Sequence, residues 1–312
     1  MKKQLFIVLI FAIFSVKGFA QIGTPLSQFS GNQIVFNPGY AGIYDLLSVN
    51  LTVHKSWIQI PGSPQLVNLN AHAPFRNHKH AGGLIYQNEQ WGPLQGNFAL
   101  ANYAYKMYFR RSILSLGVQA GVMVHTINWN KIHQVTNPED PTLGQGRVNE
   151  AKFDASVGAY YLAPDWYLGF SVRHLNNPKY DRTTIGDTSW YTEFVRPEFI
   201  LMGGYNIQAT REWSFRPEVL LRYVHHTPLS ANFGVHAYYV NRYSVGVNYL
   251  TGQKGVSFQA RAMLSDNLRI GYSYDVFFGD IRPHQRGSHE ISINYLLRDI
   301  WGKARTIDLL WL

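Results

Sequence analysis

Between Leu114 and Val124 every second residue is apolar. Leu114, Leu116, Val118, Ala120, Val122 and Val124 stand on one side of the alternation, and Ser115, Gly117, Gln119, Gly121 and His125 on the other. Successive side chains of an extended strand point to opposite faces, whereas a helix of 3.6 residues per turn would not sort these residues. The same period of two recurs at Ala151, Phe153, Ala155, Val157, Ala159 and Tyr161, and again at Val256, Phe258, Ala260, Ala262 and Leu264. Each run has about the 9 to 11 residues that a tilted strand needs to cross a bilayer.

Counting such segments predicts fourteen strands: 46–58, 66–73, 80–89, 95–108, 111–125, 152–162, 166–174, 198–209, 212–224, 230–240, 242–250, 254–265, 268–278 and 288–297. The range is twelve to sixteen, because His72, Pro74, Gly82 and Gly83 blur the second and third. The connections sort by parity. Those after strands four, six, eight, ten and twelve are tight, at 109–111, 163–165, 210–212, 240–241 and 265–267. Those after strands five, seven and thirteen are long, at 126–150, 175–197 and 279–287. Transmembrane barrels alternate short periplasmic turns with longer outside loops, and a soluble sandwich has no reason to do so. The expected fold is therefore a transmembrane antiparallel β-barrel in a Gram-negative outer membrane, with both termini periplasmic.

Charge decides which face meets lipid. Lys152, Asp154, Arg173, Arg216, Glu218, Arg222, Arg242, Arg261, Arg269, Asp275 and Glu290 fall on the polar face, and the opposite face is nearly free of charge. An arginine on the lipid face near the midplane costs roughly 2 to 4 kcal/mol, so these residues are expected to form a polar network that fills and stiffens the lumen. The alternative is a pore lining that attracts anions. Closure follows because an open sheet edge in hydrocarbon leaves backbone groups unpaired. Aromatic residues at 15%, with 20 tyrosines, and charged residues at only 15% suit a barrel with aromatic girdles.

The ends read differently. Lys2 and Lys3, the apolar run Leu5 to Phe14, and the small residues Gly18 and Ala20 predict a cleaved signal peptide at 1–20, with Gln21 as the mature start. The apolar run is too short for a membrane helix. Residues 21–45, rich in Gly, Pro and Asn, are expected to plug the lumen or cap its periplasmic mouth, and the barrel occupies 46–297. The tail 298–312, with Trp301, Leu309, Leu310 and Trp311, reads as a periplasmic or interfacial segment. Without cysteine there is no disulfide, thiolate site or lipidated residue. Removing Lys2, Lys3 and Lys17 leaves 25 basic residues against 19 acidic, a net +6 that implies headgroup contact rather than nucleic acid.

No pattern of residues singles out catalysis or a metal. His72, His78 and His80 sit near a turn without a nearby carboxylate. His225 and His226, read as strand neighbours, would point to opposite faces. Glu139 and Asp140 lack the alternating acids of a calcium loop. Ser292 with His289, and Asp275 with His284, are the nearest approach to a nucleophile and its base, and neither spacing specifies an oriented pair. The chain is expected to be non-enzymatic, with no cofactor.

A series of motifs resembles the PorP/SprF family of type IX secretion membrane proteins of gliding and adhesin-secreting Bacteroidetes. The opening PLSQFSGNQIVFNPGYAG, from Pro25 to Gly42, carries the resemblance through Gln28, Phe29, Asn37, Pro38, Tyr40, Ala41 and Gly42. Trp57 follows, then the turn Pro61, Gly62 and Pro64, the pair Gly82 and Gly83, and Tyr103, Ala104 and Tyr105. YLGFSVRHLNNP at 167–178, GYSYD at 271–275 and GSHEI at 287–291 complete the series, which spans essentially the whole mature chain. Two features depart from the family. His54, Lys55 and Ser56 stand where an Arg or Gln usually precedes the tryptophan, and the chain runs on to Leu312 where many members end just after the GSHEI strand.

The resemblance implies a barrel that helps export a large secreted surface protein, often an adhesin, or holds it at the cell surface through that protein's C-terminal domain. It also implies association with a periplasmic peptidoglycan-binding lipoprotein or with the secretion machinery. The candidate partner-binding residues are Asn37, Pro38, Tyr40, Trp57, Trp190, Tyr191 and His289, with Pro38 and Gly39 also reading as a plain turn. The competing function is a passive or solute-specific outer-membrane transporter.

Overall fold

The computed structural model describes residues 26–133, 146–185, 188–279, 281–297 and 300, without the side chains of 132–133 and 181–194. The first half of the chain supplies β1 (Leu47–Lys55), β2 (Gln65–Pro74), β3 (His80–Trp91), β4 (Leu94–Tyr108), β5 (Ile113–Asn128), β6 (Arg147–Leu162) and β7 (Trp166–Arg173). After the hairpin β8 (Lys179–Ile185) and β9 (Thr188–Phe194) come β10 (Glu198–Tyr205) and the two-residue β11 (Ile207–Gln208). The second half continues with β12 (Trp213–Val224), β13 (Ser230–Tyr239), β14 (Tyr243–Leu250), β15 (Gly255–Met263), β16 (Leu268–Phe277) and β17 (Ser288–Leu297). Two short helices, α1 (Gln33–Phe36) and α2 (Trp129–His133), lie outside the sheet.

Every barrel strand pairs antiparallel with its neighbours. Leu47 faces Leu297 where β1 meets β17, and Glu198 faces Val224 where β10 meets β12, so the sheet closes with no free edge. Leaving out β8, β9 and β11, fourteen strands form the wall. Closure satisfies the backbone without water, as a bilayer requires. All fourteen predicted segments correspond to barrel strands. The sixth begins earlier than expected, at Arg147 rather than 152, and the fifth runs on to Asn128. The added start of β6 carries the polar Arg147, Asn149 and Glu150, which break the apolar face of the alternation. The connection 175–197, read as loop, contains the β8–β9 hairpin.

The two faces are sharply different. Leu116, Val118, Val122, Val245, Phe258 and Ile291 project outward and are exposed, while Ser115, Gln119, Asp154, Ser244, Gln259 and Glu290 are buried inside. At the end of the barrel with the short turns, Phe109, Trp166, Tyr205, Trp213, Tyr239 and Tyr243 form an exposed belt. The Trp213 and Tyr239 rings pack 4.9 Å apart within it. This is the aromatic girdle expected where a lipid-facing wall reaches the headgroups. No helix among the described residues is long and apolar enough to cross a membrane; the strands do so.

Candidate functional site

The lumen is occupied by the chain's own segment 26–46. One of its faces is apolar, with Leu26, Phe29, Ile34, Val35 and Phe36 all buried, and many of its polar groups are hydrogen-bonded to the wall. Ser27 and Gln28 donate their backbone N–H groups to the two oxygens of Glu290, at 2.8 and 2.9 Å. The Ser27 hydroxyl donates to Asp275 at 2.6 Å, and Gln259 donates to the Ser27 carbonyl at 2.6 Å. Asn50 and Thr52 of β1 reach the side-chain oxygen of Asn32 at 2.8 and 3.2 Å. On the opposite wall, Tyr160 donates to Gln33 at 2.7 Å and Ser171 to the Phe36 carbonyl at 2.6 Å. Buried polar groups are tolerable only when partnered, and here the plug and the lumenal face partner each other.

The Asn37–Pro38–Gly39 turn comes closest to the wall. Asn37 Oδ1 accepts the Gly39 N–H at 2.9 Å, which closes the turn. Its Nδ2 donates to the carbonyls of Ala159 and Phe170, at 2.9 and 3.2 Å. This approach requires wall strands without side chains. A Cβ at Gly117 of β5 would lie 2.3 Å from Gly39 N, and one at Gly158 of β6 would lie 2.3 Å from Asn37 Oδ1. Where the plug leaves for β1, Asp45 pairs with the fully buried Lys106 of β4. Lys106 Nζ also donates to the Gly42 carbonyl at 2.6 Å, and Tyr108 donates to Asp45 at 3.1 Å.

Between the plug and the long-loop end lies a cavity of about 370 Å³, open at the loop end. Its floor is apolar, with Val35 and Phe36 of the plug meeting Leu66, Phe98, Leu100 and Met123 of the wall. Its rim carries a triad. Glu198 stands opposite Arg173 across the β7–β10 ladder and is held by Arg173 Nη1 at 3.2 Å and Arg222 Nε at 2.6 Å. Arg196 donates to the His225 carbonyl at 3.2 Å. Tyr180, from the start of β8, stacks on His125 with ring centroids 4.2 Å apart and folds the hairpin toward this mouth.

Within the expected polar network, Asp154, Arg216, Glu218, Asp275 and Glu290 are buried in the lumen, and Arg173, Arg222, Arg261 and Arg269 are partly buried there. They do not form one network. Asp154 pairs with His174 at 3.0 Å and Arg261 holds Ser30 of the plug at 2.7 Å, while Arg216 lies 3.8 Å over the Tyr238 ring. Lys152 pairs along its own strand with Glu150 near the loop end, at 2.5 Å. Arg242 is a correction. It follows Asn241 in a turn whose Val240 and Asn241 both have positive φ, and it pairs with Asp266 at 2.6 Å in solvent, outside the lumen. Periodicity was extended one residue too far there. The lumenal groups not foreseen include His54, Glu89, Lys106, Glu198 and His236, all at positions where the same alternation points inward.

The candidate partner residues separate. Asn37 and Pro38 are buried and Tyr40 packs within the lumen, its ring 5.4 Å from that of Tyr160, so what these residues bind is the barrel itself. Trp57, with φ 46°, lies in the β1–β2 loop, and its backbone N–H donates to Ser288 at 3.0 Å. His289 points outward, 2.6 Å from the Tyr272 hydroxyl, away from Ser292, which faces the plug and donates to Gln28. Asp275 is held by Ser27, and His284 is exposed in a loop, so that pair is also apart. His72 accepts from Gly42, His78 lies 3.5 Å from Asp45, and His80 faces outward beside Tyr103. His225 and His226 are turn residues, not strand neighbours. Their rings are 3.8 Å apart because His226 has φ 67°, and the charge of His225 depresses the His226 pKa. The side chains of Trp190 and Tyr191, the residues Glu139 and Asp140, the signal 1–20 and all of the tail but Ile300 lie outside the description.

A plugged, closed, lipid-faced barrel that opens with the Pro25–Gly42 motif matches the type IX secretion system membrane protein PorP/SprF description over residues 18–295. The chain belongs to the PorP/SprF family. It is an outer-membrane β-barrel of type IX secretion. None of the curated proteins matches it. Among solved structures it is similar to the Ralstonia pickettii toluene transporter TbuX, with TM-score 0.51 and 12% identity, covering 91% of this chain and 99% of that one. A TodX monoaromatic hydrocarbon channel mutant aligns with TM-score 0.49 and 10% identity, over 85% and 94%. Acinetobacter baumannii Omp33 gives 0.45 and 7%, over 82% and 99%. At such identity the TbuX likeness speaks for the fold alone.

Proposed function

We propose that this PorP/SprF barrel is a non-catalytic anchor and export partner for a large secreted surface protein of the adhesin kind, which it engages through that protein's C-terminal domain. The observation that carries this reading is the filled lumen. Among the described residues a segment hydrogen-bonded to opposite walls fills the lumen, which speaks against a passive pore, while the loop end offers a preformed concave mouth. The surface protein meets the loop end. The turn end, where β1 begins and β17 finishes, faces the periplasm and meets the secretion machinery or a peptidoglycan-binding lipoprotein. The signal 1–20, the plug within 21–45, the barrel 46–297 and the tail 298–312 divide the chain accordingly. Affinity purification of the detergent-extracted barrel from its own cells tests the reading: a much larger secreted chain should copurify. Repeated recovery of the barrel alone, or stable conductance of the intact barrel in planar bilayers, would count against it and favour a solute transporter.

A further inference from the structure

We infer that the mouth cavity receives the end of a partner chain, an extended apolar segment that finishes in a free carboxylate. This deepens the anchor reading and rests on it. The cavity volume of about 370 Å³ lies within the usual range for ligand pockets, roughly 300 to 1,000 Å³. The floor formed by Val35, Phe36, Leu66 and Leu100 is apolar and suits apolar side chains, while Gln87 and Glu89, which also line the cavity, are hydrogen-bonded to each other. The rim is cationic in a specific way. Of the Arg222 guanidinium only Nε is engaged among the described residues, by Glu198, which leaves its two Nη groups as donors beside the cavity. Glu198 thus acts as an internal counter-ion that holds two guanidinium groups in fixed orientation while leaving N–H donors over. A planar fork of this kind takes a carboxylate in bidentate fashion. Apolar side chains a residue or two from a free carboxylate are what a chain terminus presents. Because Val35 and Phe36 belong to the plug, the bound end would also rest on the plug.

The test uses the full detergent-purified barrel and a dansylated Val-Phe-Leu tripeptide, followed by fluorescence anisotropy. The free acid should bind at least about tenfold more tightly than its C-terminal amide. Arg222→Met, which leaves Glu198 paired with Arg173, should abolish that difference, and Leu100→Trp, which fills the floor, should weaken both forms. Heat-modifiable migration on gels confirms that each variant is folded. Equal binding of acid and amide overturns the inference. So does binding of a dansylated fatty acid that Arg222→Met and Leu100→Trp weaken, with no binding of the tripeptide, since the carboxylate then comes from lipid. If the large secreted chain still copurifies while the tripeptide fails, the chain-end inference falls and the anchor reading stands; if copurification also fails, the anchor reading falls.

Discussion

Gly117→Ala adds one carbon where the plug lies against the wall. The new Cβ would sit 2.3 Å from Gly39 N and from Pro38 C, where ordinary contact begins at 3.4 Å, so the turn must retreat by about 1.1 Å. Both obstacles are backbone atoms and cannot rotate away. The retreat stretches the Asn37 bonds to Ala159 and Phe170, now 2.9 and 3.2 Å, beyond useful length. Two neutral hydrogen bonds are worth about 1 kcal/mol each, and overpacking typically adds roughly 1 to 3 kcal/mol. A total near 3 kcal/mol shifts the balance between docked and undocked plug about a hundredfold. The chain has no cysteine, so Ala41→Cys supplies a single fully buried thiol on the plug, away from the mouth cavity. Its rate of labelling by a maleimide polymer reports the undocked fraction. In the Gly117→Ala background that rate should rise about a hundredfold. Gly203→Ala, where a Cβ meets nothing closer than 3.4 Å, should leave it unchanged. A rise below about threefold at Gly117 would refute the claim that glycine at this position is what admits the plug.

Two further predictions test the latch and the lipid face. Asp45→Asn strands the Lys106 ammonium in a buried site; breaking one side of such a pair costs about 3 to 5 kcal/mol, whereas removing both charges is often nearly neutral. Thermal unfolding in detergent should therefore rank the parent first, the double variant Asp45→Asn, Lys106→Met next and Asp45→Asn last; a double variant as unstable as the single one would show that the charges are not the essential feature. Phe258→Arg places a charge on the exposed outer face of β15 and should cost roughly 2 to 4 kcal/mol of stability in lipid vesicles by denaturant titration. A loss no greater than that of Phe258→Leu would mean that this face does not meet hydrocarbon.

The wall was legible because a bilayer imposes a rule on every residue that crosses it. Leu116, Phe258 and Ile291 must be apolar whatever they neighbour, and the alternation follows from that alone. Where the rule lapses, so does the signal. Arg147 to Glu150 extend β6 with three polar residues and a single apolar one, and β8 and β9 pair with each other outside the wall, so neither shows a clean alternation. Arg242 shows the converse error, since alternation carried past Tyr239 ignores that a turn with two positive φ values reorients the next side chain.

The plug was legible only as a departure from strand pattern, for a physical reason. Much of its specificity resides in contacts between residues far apart in the sequence, such as Asn37 with Ala159, 122 positions away, and Gln28 with Ser292, 264 positions away. Gly117 and Gly158, on the polar side of their strands, read as neutral spacers until the barrel closes and sets both against one turn. The same holds at the mouth. Arg173 and Arg222 were recognisable as inward charges, and Glu198 lies on the inward side of the same alternation, but nothing along its own strand shows that it stands between two arginines of neighbouring strands. Inward charge is thus a property of single strands and can be read from them. A site such as the Arg173–Glu198–Arg222 triad is a property of adjacent strands, β7, β10 and β12, and exists only once their register is set.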